Sequence, residues 1–130
     1  LTSFQAVPGR MSSSWEGDIL IVDNSNSGTT AEGACAAAAY GREICGHRAV
    51  TLVIGKEEGA VCEGFPAADV ESTISEIRPD QVIVVGDSYH RLAVPEGTVL
   101  HRCRTLIEGK EQAHRVVSKG CIVLAVKCWR

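Results

Sequence analysis

Apolar residues in this chain fall into short unbroken runs separated by stretches of helical spacing. Ile19-Leu20-Ile21-Val22 is apolar at every position, the mark of a strand buried on both faces. Arg48 to Gly55, Gln81 to Val85 and Cys121 to Lys127 repeat that pattern, and a shorter run covers Thr98 to Arg102. Between them, Thr29 to Cys45 carries Ala31, Ala34, Cys35, Ala38, Ala39 and Arg42 at helical intervals, and Ala67 to Ile77 sets Val70, Ile74 and Ile77 on one face. Leu106 to Ser118 predicts a third helix. Gly46 is the expected stop of the first helix, Pro79-Asp80 of the second, and Lys119-Gly120, a cation followed by a Gly, of the third.

The beginning of the chain has a different pattern. Pro8-Gly9 is a turn signal ahead of an edge strand around Met11 to Trp15, and Glu16-Gly17-Asp18 turns that strand back into Ile19 to Val22 as an antiparallel hairpin. Strand and helix then alternate, which predicts right-handed crossovers and an α/β, Rossmann-like three-layer domain. Its sheet is expected to be mostly parallel, of about six strands, with the hairpin at its N-terminal end. A length of 130 residues suits one domain covering 1–130. No internal repeat, low-complexity tract or linker is visible.

Composition refines this picture. Hydrophobic residues make up 45% and aromatic residues 5%, so the core must be aliphatic. A formal net charge of -3 gives no basic excess for nucleic acid or an anionic membrane surface. Apolar runs fall far short of the roughly 20 residues that span a bilayer, and Leu1-Thr2-Ser3-Phe4 lacks the features of a signal peptide. The expectation is a cytoplasmic protein with small-molecule or protein partners. With no Met at position 1, an excised domain of a longer protein is expected. The six cysteines (Cys35, Cys45, Cys62, Cys103, Cys121, Cys128) form no C-x-x-C, and His101-Arg102-Cys103 is the only tight His/Cys pair. They read as reduced core thiols, not as disulfides or zinc ligands, and no metal site is assigned.

Candidate chemistry centres on Asp23 to Thr30, which joins the second strand to the first helix. Such a loop lies at the carboxyl end of the sheet, where ligands bind in open α/β folds. It offers backbone N–H groups at a helix N-terminus, the hydroxyls of Ser25, Ser27, Thr29 and Thr30, and the Asp23 carboxylate, a set suited to an anion or a ribose. The same residues also suit the turn and cap of an ordinary βα loop. Neither G-x-G-x-x-G nor G-x-x-x-x-G-K-[ST] is present. Arg10 is placed to reach a phosphate or to lie solvated on the surface. Asp87-Ser88-Tyr89-His90-Arg91 lines a cleft or caps a surface turn. No nucleophile and base are set by spacing, so no catalytic residue is assigned.

Phe4-x-x-Val7-Pro8-Gly9-Arg10-Met11, followed by Ile21-Val22-Asp23 and a polar loop into a helix, resembles the C-terminal domain of the Mur ligase family. That family reads roughly F-x-x-v-p-G-R-m-e and then D-Y-A-H-N-P or D-S-K-A-T-N, and it closes on a strand that usually ends G-K-G, which Val123 to Lys127 resembles. The likeness covers the whole chain in element order. It implies an enzyme that uses ATP to convert a carboxylate to an acyl phosphate, which an amine then attacks, with a C-terminal domain that closes over a central ATPase domain of the same chain. Carried over by position, Arg10 contacts nucleotide or phosphate, Asp23 binds the ATP ribose, and Asn26 and Ser27 fall where the family carries His and Asn or Thr. ATP and Mg2+ are held mainly by the central domain, and no phosphate loop occurs here, so this domain alone is expected to be inactive. The hallmark tyrosine, histidine and proline are missing. A cell-wall precursor and the nickel tetrapyrrole coenzyme of methanogenesis, whose last ring an archaeal branch of the family closes, are the two substrate settings the resemblance offers. The alternative from a different class is a stand-alone Rossmann-like module that binds a small anion or nucleotide without catalysis.

Overall fold

The computed structural model describes residues 11–26, 28–46, 49–57, 64–117 and 119–128. Six strands form one sheet: β1 (Ser12–Glu16), β2 (Ile19–Asp23), β3 (Val50–Lys56), β4 (Gln81–Val85), β5 (Val99–Cys103) and β6 (Gly120–Lys127). Their order is β1-β2-β6-β3-β4-β5, with β1 antiparallel to β2 and every other pair parallel. Three helices complete the domain: α1 (Ala31–Cys45), α2 (Ala67–Ile77) and α3 (Leu106–Val116). The predicted three-layer architecture and the opening hairpin are therefore present.

Strand alternation sorts the core into two halves. Leu20, Val22, Leu52, Ile54, Val82, Val84, Val123 and Ala125 pack against Ala34, Ala37 and Ala38 of α1 and Val70, Ile74 and Ile77 of α2. Ile19, Ile21, Val53, Ile83, Val85, Ile122, Leu124 and Val126 face Leu106 and Ala113 of α3. Both faces are covered, so the inner strands β2, β3, β4 and β6 carry apolar side chains toward both faces and not at every second position alone. The edge strand β1 is exposed along its whole length, and Trp15 retains 54% of its surface.

Helix ends follow local chemistry. Thr30 caps α1 by accepting from Gly33 N at 3.1 Å, so the helix starts two residues later than the apolar spacing predicts. Gly46 ends it in the left-handed region, φ 70°, with its N–H on Arg42 O, as expected. Arg78 takes the left-handed position at the end of α2, just before Pro79.

Lys119-Gly120 does not cap α3, contrary to expectation. The helix ends at Val116, and Val117 is already extended. Gly120 instead opens β6 at φ 122°, where an added Cβ would lie 2.7 Å from Ala49 O. Strand closeness, and not helix termination, is what requires glycine there. Ser118 and Cys62 lie outside the described residues. Cys121 and Cys128 are buried, Cys35, Cys45 and Cys103 are half-buried, and all five are thiols outside any disulfide. No helix among the described residues is long and apolar enough to cross a membrane.

Candidate functional site

The β2–α1 loop sits at the carboxyl edge of the sheet and is built almost entirely from its own hydrogen bonds. Asn24 N donates to Leu124 O at 2.7 Å and so carries the β2–β6 ladder one residue past the strand. Ser25 N donates to Asp23 Oδ1 at 2.9 Å, closing an Asx turn. Ser25 Oγ accepts the N–H of Val126 at 2.9 Å. Asn26 N donates to Thr29 Oγ1 at 3.0 Å, Asn26 Oδ1 accepts from Gly28 N at 2.7 Å, and Asn26 Nδ2 donates to Asn24 O at 3.2 Å. Thr29 Oγ1 donates in turn to Asn24 O. Asn24, Ser25, Asn26 and Thr29 are all buried. Buried polar groups need partners, and this loop finds them both within itself and on β6.

That geometry changes how the loop presents itself. The hydroxyls of Ser25, Thr29 and Thr30 all take part in the turn, the cap or the anchor to β6. Asp23, half-buried at the end of β2, is the acid of this loop, and Asn26 lies inside its turn. Arg10 and Ser27 fall outside the described residues.

Further along the same edge, a cavity of about 420 Å³ is lined by Gly86, Asp87, Tyr89, His90, Arg102, Cys103 and Arg104. Of the expected Asp87–Arg91 segment, Asp87, Tyr89 and His90 line it. The guanidinium of Arg102 donates to the carbonyls of Tyr89 and His90 and so pins the segment. Arg104 and Asp87 approach to 3.8 Å in solvent, a weak pair. Burial, reinforced by the Glu108 carboxylate, pushes the Cys103 thiol up to about 11, which leaves it protonated and poorly nucleophilic. Cys103 and its neighbour His101 do not act as a pair: the imidazole is engaged by Gln81 Oε1 at 3.0 Å and Gln112 Nε2 at 3.1 Å. Among the described residues no three His, Cys, Asp or Glu side chains converge as a metal site.

Two further cations at this edge escaped sequence reasoning. Lys56 ends β3 and Lys127 ends β6, and the parallel register pairs them. A lysine closing each of two neighbouring apolar runs was the available signal.

A family model for the C-terminal domain of the coenzyme F430 synthetase CfbE matches residues 13–128, most of the chain. The chain belongs to this family. The matched span contains Asp23 and Asn26 and begins after Arg10. Coenzyme F(430) synthetase of Methanosarcina acetivorans is 29% identical over 136 residues, which cover 100% of this chain and 28% of that protein. The chain thus spans little more than a quarter of the length of the curated relative.

Proposed function

We propose that this chain is the nucleotide-closing C-terminal domain of an ATP-dependent, Mur-type ligase of tetrapyrrole coenzyme synthesis. The observation that carries the reading is the family match over residues 13–128, which takes in the carboxyl ends of β2, β3, β4, β5 and β6, with Asp23 at the end of β2. In the Mur-type scheme, ATP supplies the phosphoryl group that turns a substrate carboxylate into an acyl phosphate. A nucleophile, an amine or a carbon centre, then displaces phosphate.

The residues of this chain fit a supporting role. Asp23 is a half-buried carboxylate at the carboxyl end of β2, placed to accept hydrogen bonds from ribose hydroxyls. Its backbone frame is held rigid by the Ser25 and Asn24 bonds to β6, the pre-organisation a binding group needs. Arg10 would reach phosphate, with Asn26 and Ser27 shaping the loop beside it. Mg2+ would be held mainly by the central ATPase domain, which also brings the phosphate loop. Carboxylate and nucleophile substrates meet in the cleft between the domains, and this domain alone is inactive.

The test is Asp23→Ala in the full-length protein, followed by ATP-dependent phosphate release. Loss of one charge-assisted contact is expected to raise the ATP KM about tenfold. An unchanged KM would remove Asp23 from the nucleotide site, and an absence of any ATP turnover in the parent would favour the non-catalytic binding module.

A further inference from the structure

The last turn of α1 lies over the start of β6, and each side of that contact carries a cysteine. At Gly41 the sulfur of Cys121 comes up against the helix, into the space that a Cβ would take. Cys45 follows Gly41 by four residues and so shares its face of α1, one turn further on. The Cys45 thiol donates to the carbonyl of Gly120, the residue before Cys121, at 3.5 Å. The Cys121 thiol in turn hydrogen-bonds to the Cys45 side chain. Both side chains belong to the core half under α1 and α2, so helix face, strand position and hydrogen bonds all bring the two sulfurs together.

The two thiols differ in access and in acidity. Cys121 is buried, whereas Cys45 is half-buried at the helix end. Burial first, and then the charge and hydrogen bond of Cys45, push Cys121 up to about 12, so Cys45 is the first of the pair to ionise. A thiolate on Cys45 keeps the Cys121 S–H as a donor, and the Arg42 guanidinium acts on the same pair from the preceding turn of α1. Thiolate character combined with access is what selects a cysteine for oxidation. Cys45 has the access, and Cys121 waits behind it.

No other two described cysteines are so placed. Cys35 lies nearly three helical turns from Cys45 on the same helix, about 15 Å along its axis. Cys103 and Cys128 belong to the α3 half, and their strands β5 and β6 are separated by β3 and β4.

We propose that Cys45 and Cys121 form an oxidation site, a thiol pair that a small hydroperoxide converts into a disulfide joining the end of α1 to the start of β6. With hydrogen peroxide, the Cys45 thiolate attacks one peroxide oxygen and the O–O bond breaks. Cys45 becomes a sulfenic acid, and the departing hydroxide takes up the thiol proton as water. The Cys121 sulfur then attacks the Cys45 sulfur, the S–O bond breaks, and hydroxide leaves with the Cys121 proton as a second water. Two thiols are oxidised and one peroxide is reduced, so the electrons balance. The bond forms at the amino edge of the sheet, opposite Asp23, and is independent of the nucleotide reading.

The test treats the reduced 130-residue chain with one equivalent of hydrogen peroxide, blocks remaining thiols with N-ethylmaleimide and maps the peptides by mass. The expected product is a Cys45–Cys121 cross-link, two hydrogens lighter than the reduced pair and reversed by dithiothreitol. The oxidised chain is expected to melt about 5 °C or more above the reduced one. Cys45→Ser should abolish the cross-link, and Cys121→Ser should leave a Cys45 sulfenic acid that dimedone traps. If Cys121→Ser loses its cooperative melting, Cys45→Ser and the peptide map decide the matter. Four results would overturn the site: Cys45 left unmodified, a cross-link that forms only in urea, an equal yield of other cysteine pairs, or an oxidised chain that melts no higher than the reduced one.

Discussion

Ser25 and Val126, 101 positions apart in sequence, are joined by a hydrogen bond of 2.9 Å from the Val126 N–H to the Ser25 hydroxyl. It ties the candidate loop to the innermost strand, next to Lys127. Ser25→Ala would leave a buried N–H without its partner, at a cost of about 1–3 kcal/mol. Urea denaturation should show the loss as a lower midpoint with an unchanged slope, and a midpoint equal to the parent's would mean that this anchor does not stabilise the fold.

Gly41 faces Cys121. A Cβ added at Gly41 would collide with the Cys121 sulfur and press on Val22. In an exposed helix Gly→Ala gains about 1 kcal/mol, whereas overpacking a core costs about 1–3 kcal/mol. The contact is with a buried side chain, so overpacking should dominate, and Gly41→Ala should melt below the parent. Adding Cys121→Ala removes the obstacle and should recover most of the loss; a purely additive double mutant would contradict this account.

Buried thiols give the fold an alkaline limit. Burial is the main cause that pushes Cys121 up to about 12 from the ordinary 9.0, and Cys103 goes up to about 11. A group that holds its proton more tightly when folded stabilises the native state fully below its unfolded pKa, and the benefit is lost as pH rises through the folded value. Stability should therefore decline from about pH 9 upward. Cys121→Ala should show a shallower decline than the parent in urea midpoints measured across that range, and parallel curves would exclude Cys121 as a source.

Glu57 holds the start of α3 from the end of β3 by accepting the Leu106 N–H at 2.7 Å. Thr105 and Glu108 cap the same turn, through Glu108 N to Thr105 Oγ1 at 3.1 Å and Arg104 N to Glu108 Oε1 at 3.0 Å. Removing one of these acceptors costs about 0.5–2 kcal/mol. Glu57→Ala should speed amide exchange at Leu106 while leaving α1 unaffected; equal protection in both proteins would show that the Thr105 and Glu108 contacts suffice.

Much of this architecture is legible in the sequence because its signals are local. Ile19 to Val22 and Val82 to Val85 declare themselves by unbroken apolarity, and the start of α3 at Leu106 and the stop of α1 at Gly46 sit where the pattern predicts. Errors came where a local signal serves a distant contact. Gly120 looks like a helix cap beside Lys119, yet it answers to Ala49, a residue 71 positions earlier (120 − 49 = 71). The loop hydroxyls look available for a ligand from Ser25 and Thr29 alone, and only the fold brings Val126 and Asn24 O to engage them. The pairing of Lys56 with Lys127 is a matter of strand order, which no single run of residues encodes.

That strand order also bears on how the chain is made. β2 and β3 are not neighbours; β6 lies between them and pairs with both. Until residues 120–127 leave the ribosome, the nascent sheet has a gap one strand wide, with two apolar inner edges open to whatever strand comes first. Completing the sheet therefore requires the long-range pairing of β6 with both β2 and β3, the kind of closure that slows folding. Fragments lacking that segment should stick to one another or to chaperones, not settle into a smaller version of the domain.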